Sequence, residues 1–217
     1  MPRDPPIRQG GATGRFSSGM HSVVDESLRT APKRILFVCR ANQGRSPLAA
    51  TILTDRLESV GVQPGRYAVT SAGLDARESS PVIPHVRIAA AALGLDLTAH
   101  KARALDGSAI TSNSLILTMT EVQRGAISRK QPQALFKTFT LREVIRLGAA
   151  IPAGDGHGSL EEFSRVLHWN RARVAAAAED EDIRDPAGLD LAATRAVVAE
   201  IDSLVSNLAM MLVSRTS

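Results

Sequence analysis

Apolar positions change their period along the chain, and each change marks an element. Ile35, Leu36, Phe37 and Val38 form an unbroken apolar run ending at Cys39, the pattern of a strand covered on both faces. Beyond Pro47 the apolar residues fall at Leu48, Ile52, Leu53, Leu57 and Val60, a helical spacing, and Gly61 suits the end of that helix. The alternation repeats: residues 67–71 predict a strand, 82–93 a helix stopped by Gly94, and 115–119 another strand. Lys137-Thr138-Phe139 reads as a weaker fourth strand, 141–147 as a helix and 191–213 as a long closing helix. Strands alternating with helices predict an α/β fold, a three-layer sandwich with a four-stranded parallel sheet and helices on both faces. Such folds bind ligands beyond the carboxyl ends of their strands, and Cys39 lies at one of those ends.

Two stretches break the pattern. Residues 1–32 carry Gly, Ser, Pro and Arg without apolar periodicity, so a disordered tail is expected ahead of a catalytic domain at 33–217. Within 149–181, Gly154-Asp155-Gly156-His157-Gly158 marks a loop and 160–178 can form a helix, so this stretch is expected to be an inserted lid or cap. Trp169 would supply an aromatic surface if that lid folded inward, or pack the core of the inserted helix.

Composition narrows the function. A chain of 217 residues that is 44% hydrophobic can bury a sizeable core. Its net charge of +4 is spread among 22 acidic residues and only 3% of residues are aromatic, which argues against a nucleic-acid partner. A single cysteine excludes an intrachain disulfide and points to a reducing compartment. Residues 1–30 carry no apolar export signal, and later apolar runs are short, so a cytoplasmic protein without membrane association is expected. His157 and His168 stand without ligand-spaced partners, so neither a metal nor another cofactor is expected.

The candidate chemistry sits in Cys39-Arg40-Ala41-Asn42-Gln43-Gly44-Arg45-Ser46-Pro47. A short segment entered from a strand and left by a helix can curl around an oxyanion. Backbone N–H groups from Arg40, Ala41, Asn42, Gln43, Gly44 and Arg45 would then point inward, the helix N-terminus would add partial positive charge, and the Arg45 fork would take two phosphate oxygens. Asn42 and Gly44 tolerate left-handed backbone, while Ser46 and Pro47 suit the N-cap and first position of the helix. Surroundings of this kind favour the thiolate, the form of cysteine that attacks phosphorus.

With these residues in place, the chain resembles the low-molecular-weight protein tyrosine phosphatase family, which includes related arsenate reductases. The resemblance rests on Val38-Cys39 through Arg45-Ser46-Pro47, Thr70-Ser71-Ala72-Gly73, Ala99-His100-Lys101-Ala102-Arg103 and Leu115-Ile116-Leu117-Thr118-Met119. It implies that Cys39 is the nucleophile, that Arg45 binds phosphate, and that Ser71 and His100 brace Asn42. It implies further that Ser46 donates a hydrogen bond to the thiolate, and that Asp185 of Asp185-Pro186 is the general acid that later serves as base. Asp182 is the reserve for that role, and Arg103 is expected to form a structural ion pair.

The pattern also departs from the family. Ala187 stands where an aromatic usually follows Asp-Pro, residues 74–80 hold no aromatic, and Arg40 occupies a loop position that is often apolar. Thr120 replaces an Asp, and Gly44 stands where many members carry a second cysteine. The expected function is therefore hydrolysis of a phosphomonoester, of a phosphorylated protein or small molecule, through a phosphocysteine intermediate. Phosphotyrosine is one candidate substrate, and a cationic Arg40 would favour an acidic flank. Arsenate reduction with an external thiol or redoxin and non-catalytic oxyanion binding are the alternatives.

Overall fold

In the computed structural model, residues 31–152, 158–174 and 181–215 are described. The tail expected at 1–32 lies outside them except for Ala31 and Pro32, as does His157. Four strands form one sheet: β1 (Lys33–Cys39), β2 (Tyr67–Gly73), β3 (Leu115–Thr118) and β4 (Thr138–Thr140). Their order is β2-β1-β3-β4 and each pairing is parallel, with Cys39 opposite Gly73 on one side of β1 and Val38 opposite Thr118 on the other.

The helices are α1 (Arg45–Ser59), α2 (Pro84–Ala91), α3 (Gly107–Ser112), α4 (Glu121–Lys130), α5 (Leu141–Ala149), α6 (Leu160–Asn170) and α7 (Leu191–Arg215), with a 3-10 turn at Pro132–Lys137. The unbroken apolar run of β1 is explained by its two faces. Ile35, Phe37 and Cys39 enter the larger core with Leu48 and Ile52 of α1, Val86 of α2, Phe163 of α6 and Ile201 of α7. Leu36 and Val38 enter the smaller core with Ile110 of α3, Ile116 of β3 and Ile127 of α4. Helices therefore cover both faces of a parallel sheet, the three-layer arrangement the periodicity predicts.

α3 and α4 escape the periodic reading because they are short or mostly polar. In α4 only Gln123 and Ile127 are buried, so no apolar stripe announces it, although Thr120 accepts from the Gln123 N–H as its cap at 3.2 Å. α7 is long and apolar enough to cross a membrane by length and composition. Its Val197, Ile201, Val205, Leu208 and Leu212 are buried in the larger core, where α7 packs on α1, α2 and α5.

The helix read at 160–178 spans Leu160–Asn170, and residues 175–180 lie outside the described set. α6 buries Leu160, Phe163 and Leu167 in the same core. Arg171, just past its end, donates to both carboxylate oxygens of Glu143 and to the Leu135 and Thr138 carbonyls. Trp169 takes neither of its expected places. It is 67% exposed, and it lines a groove with Ser114 and Phe136 rather than the cavity that holds Cys39.

Candidate active site

The loop after β1 is shaped by where its carbonyls go. Those of Cys39 and Arg40 accept from the N–H groups of Leu74 and Asp75 at 3.0 and 2.9 Å, and that of Gln43 accepts from Ile83 at 2.8 Å. The Asn42 carbonyl accepts from His100 Nε2 at 2.9 Å, which fixes that nitrogen as a donor. In a planar trans peptide the N–H of the next residue points opposite to each carbonyl. Outward carbonyls therefore turn the amides of Arg40, Ala41, Gln43 and Gly44 toward the inside of the curl, an anion-binding nest at the start of α1.

Asn42 is the centre of the scaffold. Its φ of 54° is left-handed, a region asparagine tolerates, and the residue is fully buried. Its N–H donates to Cys39 Sγ at 3.3 Å, and its side-chain nitrogen donates to Ser46 Oγ and Ser71 Oγ, both at 2.9 Å. Its side-chain oxygen accepts from the Arg103 N–H at 3.0 Å. Ser46 Oγ lies 2.9 Å from Cys39 Sγ. The Ser46 proton has two acceptors in reach, the sulfur and, at 3.3 Å, the Ala72 carbonyl; a thiolate, which can only accept, would take it at the shorter distance. Cys39, Asn42, Ser46, Ser71 and His100 thus form one connected network.

His100 is half-buried. Burial lowers its pKa below the ordinary imidazole value, with a smaller contribution in the same direction from Arg103, against the opposing effect of the Asn42 bond. Arg103 acts differently from the expected ion pair: its Nε donates to the Ser71 carbonyl at 2.6 Å, a brace between chain segments.

Arg45 is 5% exposed and reaches across to the segment before α7. Its Nη1 donates to the Ile183 carbonyl at 2.8 Å and its Nη2 to Asp185 Oδ2 at 2.5 Å. Asp185 is about half-exposed and lines a cavity of about 320 Å³ with Cys39, Arg45, Arg40, Asp75 and Ala187. Asp182 is turned elsewhere, accepting from the Glu121 N–H at the start of α4. Arg40 and Asp75 are both largely exposed at the cavity rim, 3.8 Å apart.

Two glycines in this region matter through what they do not carry; Gly44, expected to suit left-handed backbone, has a φ of −144° and caps α1 in place of Ser46. A Cβ on Gly73 would lie 2.7 Å from the Arg40 carbonyl oxygen and 2.9 Å from the Ala41 carbonyl carbon, so its bare Cα lets β2 support the loop closely. A Cβ on Gly44 would lie 3.2 Å from Pro186 Cγ, so the loop also receives the Asp-Pro segment directly. The signal for Gly73 was its place after Ser71 in a recognised motif. Its reason, backbone from a separate segment, has no trace in local spacing. Among the described residues no group of three His, Cys, Asp or Glu side chains could hold a metal.

Comparison with known proteins follows the same lines. The family model described as low molecular weight phosphotyrosine protein phosphatase matches residues 34–167. A protein-arginine-phosphatase of Geobacillus stearothermophilus is 29% identical over 178 residues, covering 82% of this chain and 95% of the relative. A probable low molecular weight protein-tyrosine-phosphatase of Ralstonia nicotianae is 33% identical, covering 62% of this chain and 88% of the relative. Among solved structures, the arginine phosphatase YwlE from Geobacillus stearothermophilus is similar with a TM-score of 0.62 at 29% identity, covering 83% of this chain and 93% of that one.

Proposed function

Because this chain belongs to the low molecular weight phosphotyrosine protein phosphatase family, we propose that it hydrolyses phosphorylated protein side chains through a phosphocysteine on Cys39. The observation that carries this reading is the convergence of Cys39, Arg45 and Asp185 on one cavity, with the Asn42 network holding the loop behind them. The Cys39 thiolate attacks phosphorus while the inward amides and Arg45, which exchanges its bond to Asp185 for the phosphate and so frees that carboxyl to be protonated, hold the equatorial oxygens. Asp185 gives its proton to the departing oxygen, and the resulting carboxylate then takes one from the water that attacks the phosphocysteine. Ser46, hydrogen-bonded to sulfur, stabilises the thiolate as it leaves in that second step. Every step is supplied by this chain's side chains and amides.

Phosphotyrosine is the substrate of the leading reading. A second reading, a phosphorylated arginine, is favoured by the cavity itself. Ala187 and Ile83 supply no aromatic wall for a tyrosine ring, while the carboxylates of Asp75 and Asp185 line the opening and suit a guanidinium. The arginine phosphatase relative named above is consistent with it. Arsenate reduction would require a thiol from another molecule, since Cys39 is the only cysteine. A lone thiol suits a reducing compartment, and we place the protein in the cytoplasm.

The test is hydrolysis of p-nitrophenyl phosphate without added metal, then of phosphotyrosine and phosphoarginine peptides side by side. Cys39→Ser is expected to abolish turnover. Turnover that survives Cys39→Ser removes the mechanism, and a clear preference for either peptide decides between the substrates.

A further inference from the structure

Away from the catalytic cavity, a groove of about 590 Å³ lies between α6, the end of α3 and the 3-10 turn. It sits at the opposite end of the strands from Cys39. Ser114, one of its residues, donates its N–H to the Arg34 carbonyl near the start of β1, whereas Cys39 ends that strand. Five strand residues, roughly 16 Å, separate the two levels.

The groove has an aromatic wall in a chain that is 3% aromatic. Phe136 is 56% exposed and Trp169 67% exposed, with the His168 ring between them at 4.7 Å from Phe136 and 6.4 Å from Trp169, edge to face with both. His168 takes part as a neutral ring: burial and Arg171 lower its pKa, and its Nδ1 accepts from Arg171 at 3.1 Å. Two cations complete the groove. Lys137 gives two of its protons to the Thr111 and Asn113 carbonyls, and Arg165 has no carboxylate partner among the described residues. Glu161, the one carboxylate among the described residues lining the groove, accepts from the Ser114 hydroxyl and also acts on the charge of Lys137, which leaves Arg165 as the main site for an added anion.

The walls are held in place without a partner. Ser164 donates to the Ser114 carbonyl at 2.8 Å, and Arg171 ties the end of α6 to Leu135 and Thr138 on the opposite side. A groove already shaped costs little ordering when it is filled. Exposed aromatics beside an arginine with no carboxylate partner among the described residues are also the residue types that anchor protein contacts.

We propose that this groove binds an acidic peptide segment of a partner protein, with an aromatic or aliphatic side chain between Phe136 and Trp169 and a carboxylate on Arg165 and Lys137. Charge complementarity sets the sign of the partner. The concave shape favours a peptide over a membrane, because interfacial aromatics must protrude to reach lipid. Binding at this end of the strands leaves the Cys39 cavity open, so the same partner can be held here and dephosphorylated there, or held without being a substrate.

Trp169 is the only tryptophan and so reports directly on the groove. The full chain is titrated with acetyl-Asp-Glu-Leu-Phe-Glu-Asp-amide while Trp169 emission is followed. A saturable blue shift is expected. It should weaken by about tenfold or more in Arg165→Glu and in Phe136→Ala, with p-nitrophenyl phosphate turnover unchanged in both. A peptide with Lys and Arg in place of the acids should give no shift. The proposal is overturned by absence of a saturable shift, by an equal response to the basic peptide, or by a shift with phosphatidylserine vesicles but not with the peptide. Concentration-dependent dimerisation that Arg165→Glu abolishes and the peptide does not compete with would assign the groove to a second copy instead, and would also overturn it.

Discussion

Asn42 joins Cys39 to its supports through both backbone and side chain, so its replacement tests the loop as a unit. Asn42→Ala leaves a left-handed residue with a Cβ and removes the partner of the Arg103 N–H. The expected cost is roughly 2 to 4 kcal/mol in chemical unfolding. Asn42→Gly relieves the backbone and keeps the bonding loss, so it should recover about 1 kcal/mol of that cost. Equal losses in the two variants would show that φ contributes nothing. At Asp185 the expected result of Asp185→Asn is a turnover rate lower by about 10² to 10⁴, with phosphate binding retained. An unchanged rate would end its assignment as acid. His100 adds a pH dependence. Its folded pKa is lowered, so the folded state binds the proton less readily than the unfolded chain. Its contribution is complete above the ordinary value of about 6.5 and is lost as pH falls through the lower folded value. Thermal melting between about pH 7.5 and 5.5 should therefore fall less steeply in His100→Asn than in the unaltered chain.

Among elements, α5 and α6 are joined by a buried charge cluster. Glu143 is 3% exposed, completes the Thr140 capping box of α5, and pairs with Arg124 and Arg171 at 2.9 and 2.8 Å. Burial alone would raise its pKa. The Arg171 bonds and charge, with Arg124, overcome this and hold the carboxyl below its ordinary value. Arg171 also stacks over the Phe139 ring at 4.2 Å. Glu143→Gln would leave two guanidinium groups short of their charge partner, and an expected loss of about 3 kcal/mol follows from breaking such a cluster on one side. Turnover at low temperature should be unaffected, because the cluster lies outside the catalytic cavity. A fall in turnover without a fall in stability would instead tie this cluster to the loop.

For the whole molecule, α7 raises the choice between a membrane span and a core helix. Its composition permits either, and its contacts favour the second. Ile201 is fully buried against the same core as β1 and α1. Ile201→Ala should therefore cost about 2 to 5 kcal/mol, read as a lower urea midpoint in buffer without detergent. A lipid-facing residue would tolerate that change. The larger core also carries the proposed nucleophile: Cys39 packs with Ile35 and Phe37 on one face of β1, so the sulfur is fixed by the same packing that stabilises the fold.

Local pattern determined the parallel α/β class, the central strand, the loop from Cys39 to Arg45 and the helix that follows, because each is written in contiguous residues with a clear period. It left α3 and α4 unseen, since helices that bury one or two side chains carry no apolar stripe. It also gave α6 no position, because a helix's period says which face is buried but not against what. Only the tertiary structure brought Asp185 onto Arg45, 140 positions earlier in the chain, while turning Asp182 to α4. It alone explained Gly73 by the loop backbone packed on it and replaced the Arg103 ion pair with a bond to Ser71. Those relations are distances between segments remote in sequence, and such distances are set by how the sheet and its helices pack rather than by the residues on either side of each position.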